Sequence, residues 1–194
     1  MKIYTARHGQ TGWNAEGRMQ GLIDIPLDET GLAQAEKLAE RFKNVRITRI
    51  YSSSLSRAYE TAKTINKHHN VEIITEDGLR EISYGEFEGR LLSEIGKEFS
   101  IRQETGRAMP GGEEFDDFFA RVHSCLDKIM ADNNEDLLIV GHAGTVRAAL
   151  AYFLKLPMEQ FTSFGIGNTA VHCFELCGNT GSFSMVIEND TSHL

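Results

Sequence analysis

No apolar run in this 194-residue sequence approaches the roughly 20 residues that a bilayer-spanning helix needs. The first residues also lack the apolar stretch of a secretory leader, and cleavage roughly 15 to 30 residues in would remove residues singled out below. A cytoplasmic protein is expected. Cysteine is scarce: Cys125, Cys173 and Cys177 are an odd number with no paired CxxC pattern, which argues against a disulfide framework or a zinc site. Buried thiols in a reducing compartment are the simpler reading. Basic residues are also short, 20 Lys and Arg against 28 Asp and Glu, for a net charge of −8. That excludes a broad basic face for nucleic acid or anionic lipid. There are no internal repeats, low-complexity tracts or linkers, so residues 1–194 are expected to form one domain.

The composition is that of an ordinary globular protein, 41% hydrophobic and 25% charged. Lys2 to Ala6 is a predicted strand, followed by a glycine-rich loop over 9–27. Asp28 is the predicted N-cap of a helix to about Phe42, with Leu32, Ala35, Leu38, Ala39 and Phe42 on its apolar face. A strand over 47–52, a helix capped by Ser54 and a strand over 71–75 come next. Residues 78–112 are charged and glycine-rich, irregular or partly helical. A helix over 114–130, a fully apolar strand over 137–140 and a helix over 145–154 follow. Two final strands, 170–176 and 183–187, are joined by a turn at 178–181. Alternating strands and helices predict a three-layer α/β/α sandwich on a mainly parallel, mixed sheet, with at least one antiparallel strand from the closing hairpin.

Such sheets hold ligands at the carboxyl ends of their strands. Arg7-His8-Gly9-Gln10-Thr11, with Asn14 beyond, follows the first strand. Ser52 to Arg57 follows the second. Gly141-His142-Ala143-Gly144 follows the 137–140 strand. Two arginines, two histidines, an asparagine and free helix N-termini on one edge make an anion site. Charge-assisted hydrogen bonds of roughly 1.5–3 kcal/mol each would hold a phosphate even in an acidic protein.

These residues resemble the histidine phosphatase superfamily, also called phosphoglycerate mutase-like. Arg7 to Thr11 with Asn14 is similar to its first motif, and Ser53 to Arg57 with Ala58 and Thr61-Ala62 to its arginine motif. Leu79-Arg80-Glu81-Ile82 with Gly85 and Glu88-Gly89 is similar to its acid loop, and Gly141-His142 to its second histidine motif. The resemblance implies that His8 is the nucleophile of a covalent phosphohistidine. It implies that Arg7, Arg57, His142 and Asn14 bind the phosphoryl oxygens, and that Glu81 is the general acid and then the base. Thr11 and the backbone N–H of His142 or Ala143 would support the pocket. No metal or other cofactor is implied, and the partner is a small phosphate ester.

The other histidines (His68, His69, His123, His172 and His193) have no spacing that suggests ligands, and Phe115, Phe118 and Phe119 read as core. Trp13 and residues 82–112 are candidates for the pocket wall. That segment is compact, which favours hydrolysis over a cofactor-dependent phosphoglycerate mutase. Pro110-Gly111-Gly112-Glu113 before a helix with Asp117 and Arg121 resembles α-ribazole phosphatase-type enzymes, though Glu114 stands where those have Ser and Ala143 where glycine is common. A sugar phosphate is an alternative substrate. A phospholigand-binding protein without catalysis is the alternative of another class.

Overall fold

The computed structural model describes residues 1–157, 164–178 and 181–194. Six strands form one sheet in the order β3-β2-β4-β1-β5-β6. These are β1 (Lys2–Arg7), β2 (Arg49–Ser53), β3 (Ile73–Glu76), β4 (Leu137–Gly141), β5 (Val171–Cys177) and β6 (Ser182–Asp190). The first four named run parallel, while β5 is antiparallel to both β1 and β6. The mixed, mainly parallel sheet is therefore as expected. The turn anticipated at 178–181 lies partly outside the described residues.

Six α-helices accompany the described strands: α1 (Gly12–Glu16), α2 (Glu29–Phe42), α3 (Ser56–Asn66), α4 (Leu92–Thr105), α5 (Phe115–Ala131) and α6 (Ala143–Leu154). The sheet's two faces bury different helices, and β4 shows why. Its residues alternate sides, Leu137 and Ile139 packing with Phe118, Leu126 and Leu150 of α5 and α6. Leu138 and Val140 pack with Leu38, Phe42, Ala58 and Ile65 of α2 and α3. A strand covered on both faces has no polar side, hence its uninterrupted apolar sequence.

Several expectations need correction. Ser54 does not cap α3; the N-cap is Leu55, which has no side-chain cap bond, and the Ser54 hydroxyl instead donates to Asp77 at 2.5 Å. Leu32 is 45% exposed and does not belong to the buried face of α2, although Asp28 does cap that helix through the Gly31 N–H. The 9–27 loop contains α1, closed by Gly17 in the left-handed conformation. The 78–112 stretch is partly helical, as expected, through the 14-residue α4, of which only Ile95 is buried. Helix α6 begins two residues early, at Ala143, directly on the strand end. Glu114 is the N-cap of α5 without a side-chain cap bond; its carboxylate accepts from the Ala108 N–H instead. A serine there would be a natural cap, which gives that departure a local physical meaning.

Candidate active site

The β1–β4 ladder pairs Arg7 with Gly141, so the first and third loops leave the sheet side by side. One residue on, the His8 N–H donates to the Gly141 carbonyl at 3.0 Å. The His8 carbonyl accepts from the Thr169 N–H at 3.3 Å and from Asn168 Nδ2 at 3.2 Å. The backbone of His8 is thus held from both sides, and its side chain is buried. Its Nδ1 lies 2.6 Å from the Gly9 carbonyl. A carbonyl only accepts, so Nδ1 carries the proton and Nε2 keeps its lone pair. Burial, and then the charges of Arg7 and Arg57, hold the ring well below the usual histidine range and therefore neutral. Gly9 is required by packing, because a Cβ there would sit 2.5 Å from the Gly31 carbonyl of α2.

Arg57, on the first turn of α3, is 1% exposed. Its Nε donates to His142 Nδ1 at 3.2 Å, and its two amino groups donate to the carbonyls of Ile23 (3.0 Å) and Gly21 (2.9 Å). An arginine cannot accept, so His142 Nδ1 must be the bare nitrogen and Nε2–H the donor. That N–H reaches the Ser53 hydroxyl at 2.8 Å. Burial first, then Arg57, keep His142 neutral as well. The two imidazoles stand 5.1 Å apart, centroid to centroid.

Arg7 donates through Nη1 to the Ile166 carbonyl at 2.7 Å, while its Nε is buried without a hydrogen-bond partner among the described residues. Burial, aided by the charges of Arg147 and Arg57 and opposed by Glu81, brings its pKa down to about 10, so it stays charged at neutral pH. Glu81 is 7% exposed and faces the α6 terminus. Its carboxylate accepts from the Gly144 N–H at 3.2 Å and from the Ile82 N–H at 3.1 Å. A Cβ on Gly144 would fall 2.2 Å from that carboxylate. Arg121 braces the acid loop from α5, paired through two nitrogens with Glu113 (2.8 and 2.7 Å) and donating to the Gly78 and Arg80 carbonyls at 3.1 Å each.

A neutral histidine with a bare Nε2, two arginine guanidinium groups and a second imidazole near it, and a carboxylate on a helix N-terminus form a phosphoryl-transfer constellation. The sequence matches the histidine phosphatase superfamily (branch 1) over residues 3–190. The chain belongs to that superfamily. It is 32% identical over 177 residues to phosphoserine phosphatase 1 of Hydrogenobacter thermophilus, covering 88% of this chain and 84% of that one. It is 34% identical over 206 residues to phosphoglycerate mutase-like protein 4 of Arabidopsis thaliana, covering 100% and 86%. Among solved structures, a mycobacterial glucosyl-3-phosphoglycerate phosphatase complexed with VO3 superposes with a TM-score of 0.88 at 29% identity, covering 97% of this chain and 98% of that one. The protein is a histidine phosphatase of α/β fold.

Within this histidine phosphatase the structure gathers His8, Arg7, Arg57, Glu81 and His142 at one sheet edge. Thr11 is different. Its hydroxyl caps α1, accepting from the Asn14 N–H at 3.2 Å and lying 3.2 Å from Asn14 Oδ1, so it orients Asn14. Asn14 Oδ1 is further held by the Thr11 N–H at 3.2 Å and Asn168 Nδ2 at 3.3 Å, which leaves Nδ2 as the end suited to a phosphoryl oxygen. Ala143 opens α6 beside His142, where helix N–H groups face the site. Trp13 is half-buried with its ring against Gly89, where a Cβ would be 3.2 Å away. The backbone that follows Trp13 is stitched to the same wall by Met19 N–H to Arg90 O (3.0 Å) and Gly89 N–H to Met19 O (2.8 Å).

Sequence reasoning places Ser53 in the arginine motif without a role of its own and does not single out Asn168 or Gln20, the last buried with an Oε1 that has no partner among the described residues. Asn168 is hidden from a rule that looks to strand carboxyl ends, because β5 runs antiparallel and its amino end arrives at the same edge. Beside it, Thr169 is fully buried at φ 55, an unfavourable conformation for a β-branched residue. Such strain is most often tolerated where it positions functional groups.

Proposed function

We propose that residues 1–194 act as one catalytic domain that hydrolyses small phosphate monoesters by way of phosphate carried on His8 Nε2. The observation that carries this reading is the hydrogen bond from His8 Nδ1 to the Gly9 carbonyl at 2.6 Å, which leaves a neutral nucleophile beside Arg7 and Arg57. In the first step Nε2 attacks phosphorus as the ester oxygen leaves, and Glu81 gives that oxygen its proton. In the second step Glu81 takes a proton from water, which attacks the phosphohistidine and releases inorganic phosphate.

Arg7, Arg57 and the α6 N-terminus supply the positive charge that the equatorial oxygens demand in the transition state. His142 acts first through Arg57, which its bare Nδ1 holds, and meets a phosphoryl oxygen itself by turning its Nε2–H away from Ser53. Because arginine supplies the charge, we assign no role to a metal, and place the activity in the cytoplasm. The substrate is a small metabolite such as a phosphorylated amino acid, a phosphoglycerate derivative, a sugar phosphate or α-ribazole phosphate; the phosphoserine phosphatase and glucosyl-3-phosphoglycerate phosphatase relatives support the first two. The mutase-like relative supports the second reading, phosphate movement within a phosphoglycerate.

The test is inorganic phosphate release from a panel of monoesters, including 3-phosphoglycerate with 2,3-bisphosphoglycerate, for the parent and His8→Ala. Release that disappears in the variant is expected. Phosphoglycerate interconversion without release would replace hydrolysis by the mutase reading. Phosphate binding without turnover of any ester would leave only a binding protein. EDTA should not inhibit, and vanadate, a mimic of the five-coordinate transition state, should.

A further inference from the structure

Asn168 and Thr169 hold the backbone of His8, and they are held in turn by the segment that closes β6. Thr169 sits at φ 55, which a β-branched residue adopts only at a cost, so its surroundings must keep it there. Its N–H donates to the His8 carbonyl at 3.3 Å, and its hydroxyl donates to the Asn168 carbonyl at 2.7 Å. With its one proton spent, that hydroxyl can only accept from elsewhere. His193 Nε2 stands 3.0 Å from it and therefore carries the ring proton, leaving Nδ1 bare. Nδ1 is buried and has no partner among the described residues. Burial, with the charges of Arg41 and Lys37, holds the pKa of His193 below the ordinary range against the pull of Asp190, which suits a neutral ring. Asn189 adds a second tie to the same stretch, its Oδ1 accepting from the Gly167 N–H at 3.2 Å.

The other side of this segment is clipped to α2. Arg41 pairs with Asp190 at 2.5 Å and donates to the Ser192 hydroxyl at 3.2 Å, and Lys37 donates to the Leu194 carbonyl at 2.8 Å. Helix α2 also supports the residues after His8, since Gly9 packs on the Gly31 carbonyl and Gln34 accepts from the Gln10 N–H at 2.8 Å. One helix thus fixes the nucleophile loop directly and, by way of 189–193, from its far side.

We propose that His193 is a positioning residue for the nucleophile, acting through the Thr169 hydroxyl on Asn168. This rests on the phosphatase reading above, because the group it positions is His8. Asn168 Nδ2 donates to both the His8 carbonyl (3.2 Å) and Asn14 Oδ1 (3.3 Å), so a shift of Asn168 moves the attacking ring and a phosphoryl ligand together. Attack on phosphorus depends steeply on such alignment, so a loosened relay lowers turnover more than binding. A tie that only fastened 189–193 to the body of the protein would change stability and leave turnover alone.

The experiment measures kcat and KM with p-nitrophenyl phosphate, and urea midpoints, for the parent, His193→Ala, His193→Gln, Thr169→Val, Asn168→Ala and the His193→Ala/Asn168→Ala double variant. His193→Ala should lower kcat about tenfold, the scale of one hydrogen bond, with KM within about twofold. Thr169→Val, which keeps the branched shape and loses the hydroxyl, should reproduce that loss. The glutamine amide can donate from near the place of Nε2, so His193→Gln should recover most of the rate. In the Asn168→Ala background, His193→Ala should cost less than about twofold more, because the relay is already cut. A lower urea midpoint in His193→Ala with kcat unchanged, losses that multiply in full in the double variant, or no recovery in a folded His193→Gln would overturn the proposal while leaving a working phosphatase. No turnover by the parent of this or any other monoester would overturn the phosphatase reading and the positioning role together.

Discussion

The floor of the site and its wall are built on opposite principles. The floor (His8, Ser53, Arg57 and His142) is buried, and its polar atoms are matched to one another: Nδ1 of His8 to Gly9, Arg57 to His142, His142 to Ser53. The wall, residues 82–112, is largely surface. Its α4 buries only Ile95, and a small satellite cluster of Phe87, Ile95 and Met109 holds it together. Polar stitches add to it, Glu88 accepting from the Leu22 and Tyr84 N–H groups at 3.0 Å each. On the proposed reading the floor is preorganised for one invariant group, phosphate, while the wall is joined by contacts that tolerate change, as a region that selects among leaving groups requires.

Substitutions should separate the two. The largest effect belongs to the floor: His8→Ala should lower kcat by about 10⁴–10⁶-fold, the scale of losing a covalent nucleophile, with an unchanged far-UV CD spectrum. Residual turnover near the parent level would remove the nucleophile from the floor. Glu81→Gln should follow, with a loss of about 10²–10⁴-fold on alkyl phosphates and a far smaller one on p-nitrophenyl phosphate, whose leaving group hardly needs a proton. Equal losses on the two substrates would exclude Glu81 as the acid.

Acid should reveal the floor's buried neutral imidazoles. His8 and His142 are held below the ordinary range by burial and the arginines, and His172, fully buried on β5 opposite Thr5, is pushed down to about 4. Below pH 6.5 the unfolded chain binds protons that the folded protein refuses, so stability falls as pH falls, by up to about 1.4 kcal/mol per pH unit for each ring. For His172 this window runs from 6.5 down to about 4. Urea midpoints between pH 7 and 5 measure the slope, and a midpoint that rises on acidification would contradict it.

A subtler change is Ser53→Ala, which removes the acceptor of the His142 N–H and should reduce kcat about tenfold, with a fall in phosphate affinity through Arg57. Smallest of all, Ile101→Ser on the exposed face of α4 should leave kcat within about twofold and stability within about 0.5 kcal/mol. A large effect there would end the contrast between floor and wall.

Much of the floor is legible in the sequence because it is local. Arg7-His8-Gly9 and Gly141-His142 sit where strands end, and the apolar 137–140 run announces a strand covered on both faces, so their meeting follows from sheet topology. What depends on packing between distant segments is not legible. Nothing near Ser53 indicates that it faces His142, 89 residues away. Gly31 is readable as a helix residue, but its role as the surface on which Gly9 rests appears only in three dimensions. Thr11 shows a role that the motif leaves open: it is expected to support the pocket, and its hydroxyl is engaged by Asn14 as a helix cap. Helix α4 escaped clear prediction because it is nearly all surface, and a helix with one buried residue has no apolar periodicity to read.

The account stands most directly on the chemistry of His8. Rapid mixing with a ³²P-labelled monoester, alkaline quenching and peptide mapping by mass spectrometry would locate the covalent phosphate. The prediction is an acid-labile, base-stable phosphohistidine on Nε2 of His8, absent in His8→Ala and longer-lived in Glu81→Gln. Label on another residue, or a burst of product with no covalent phosphate on His8, would contradict it.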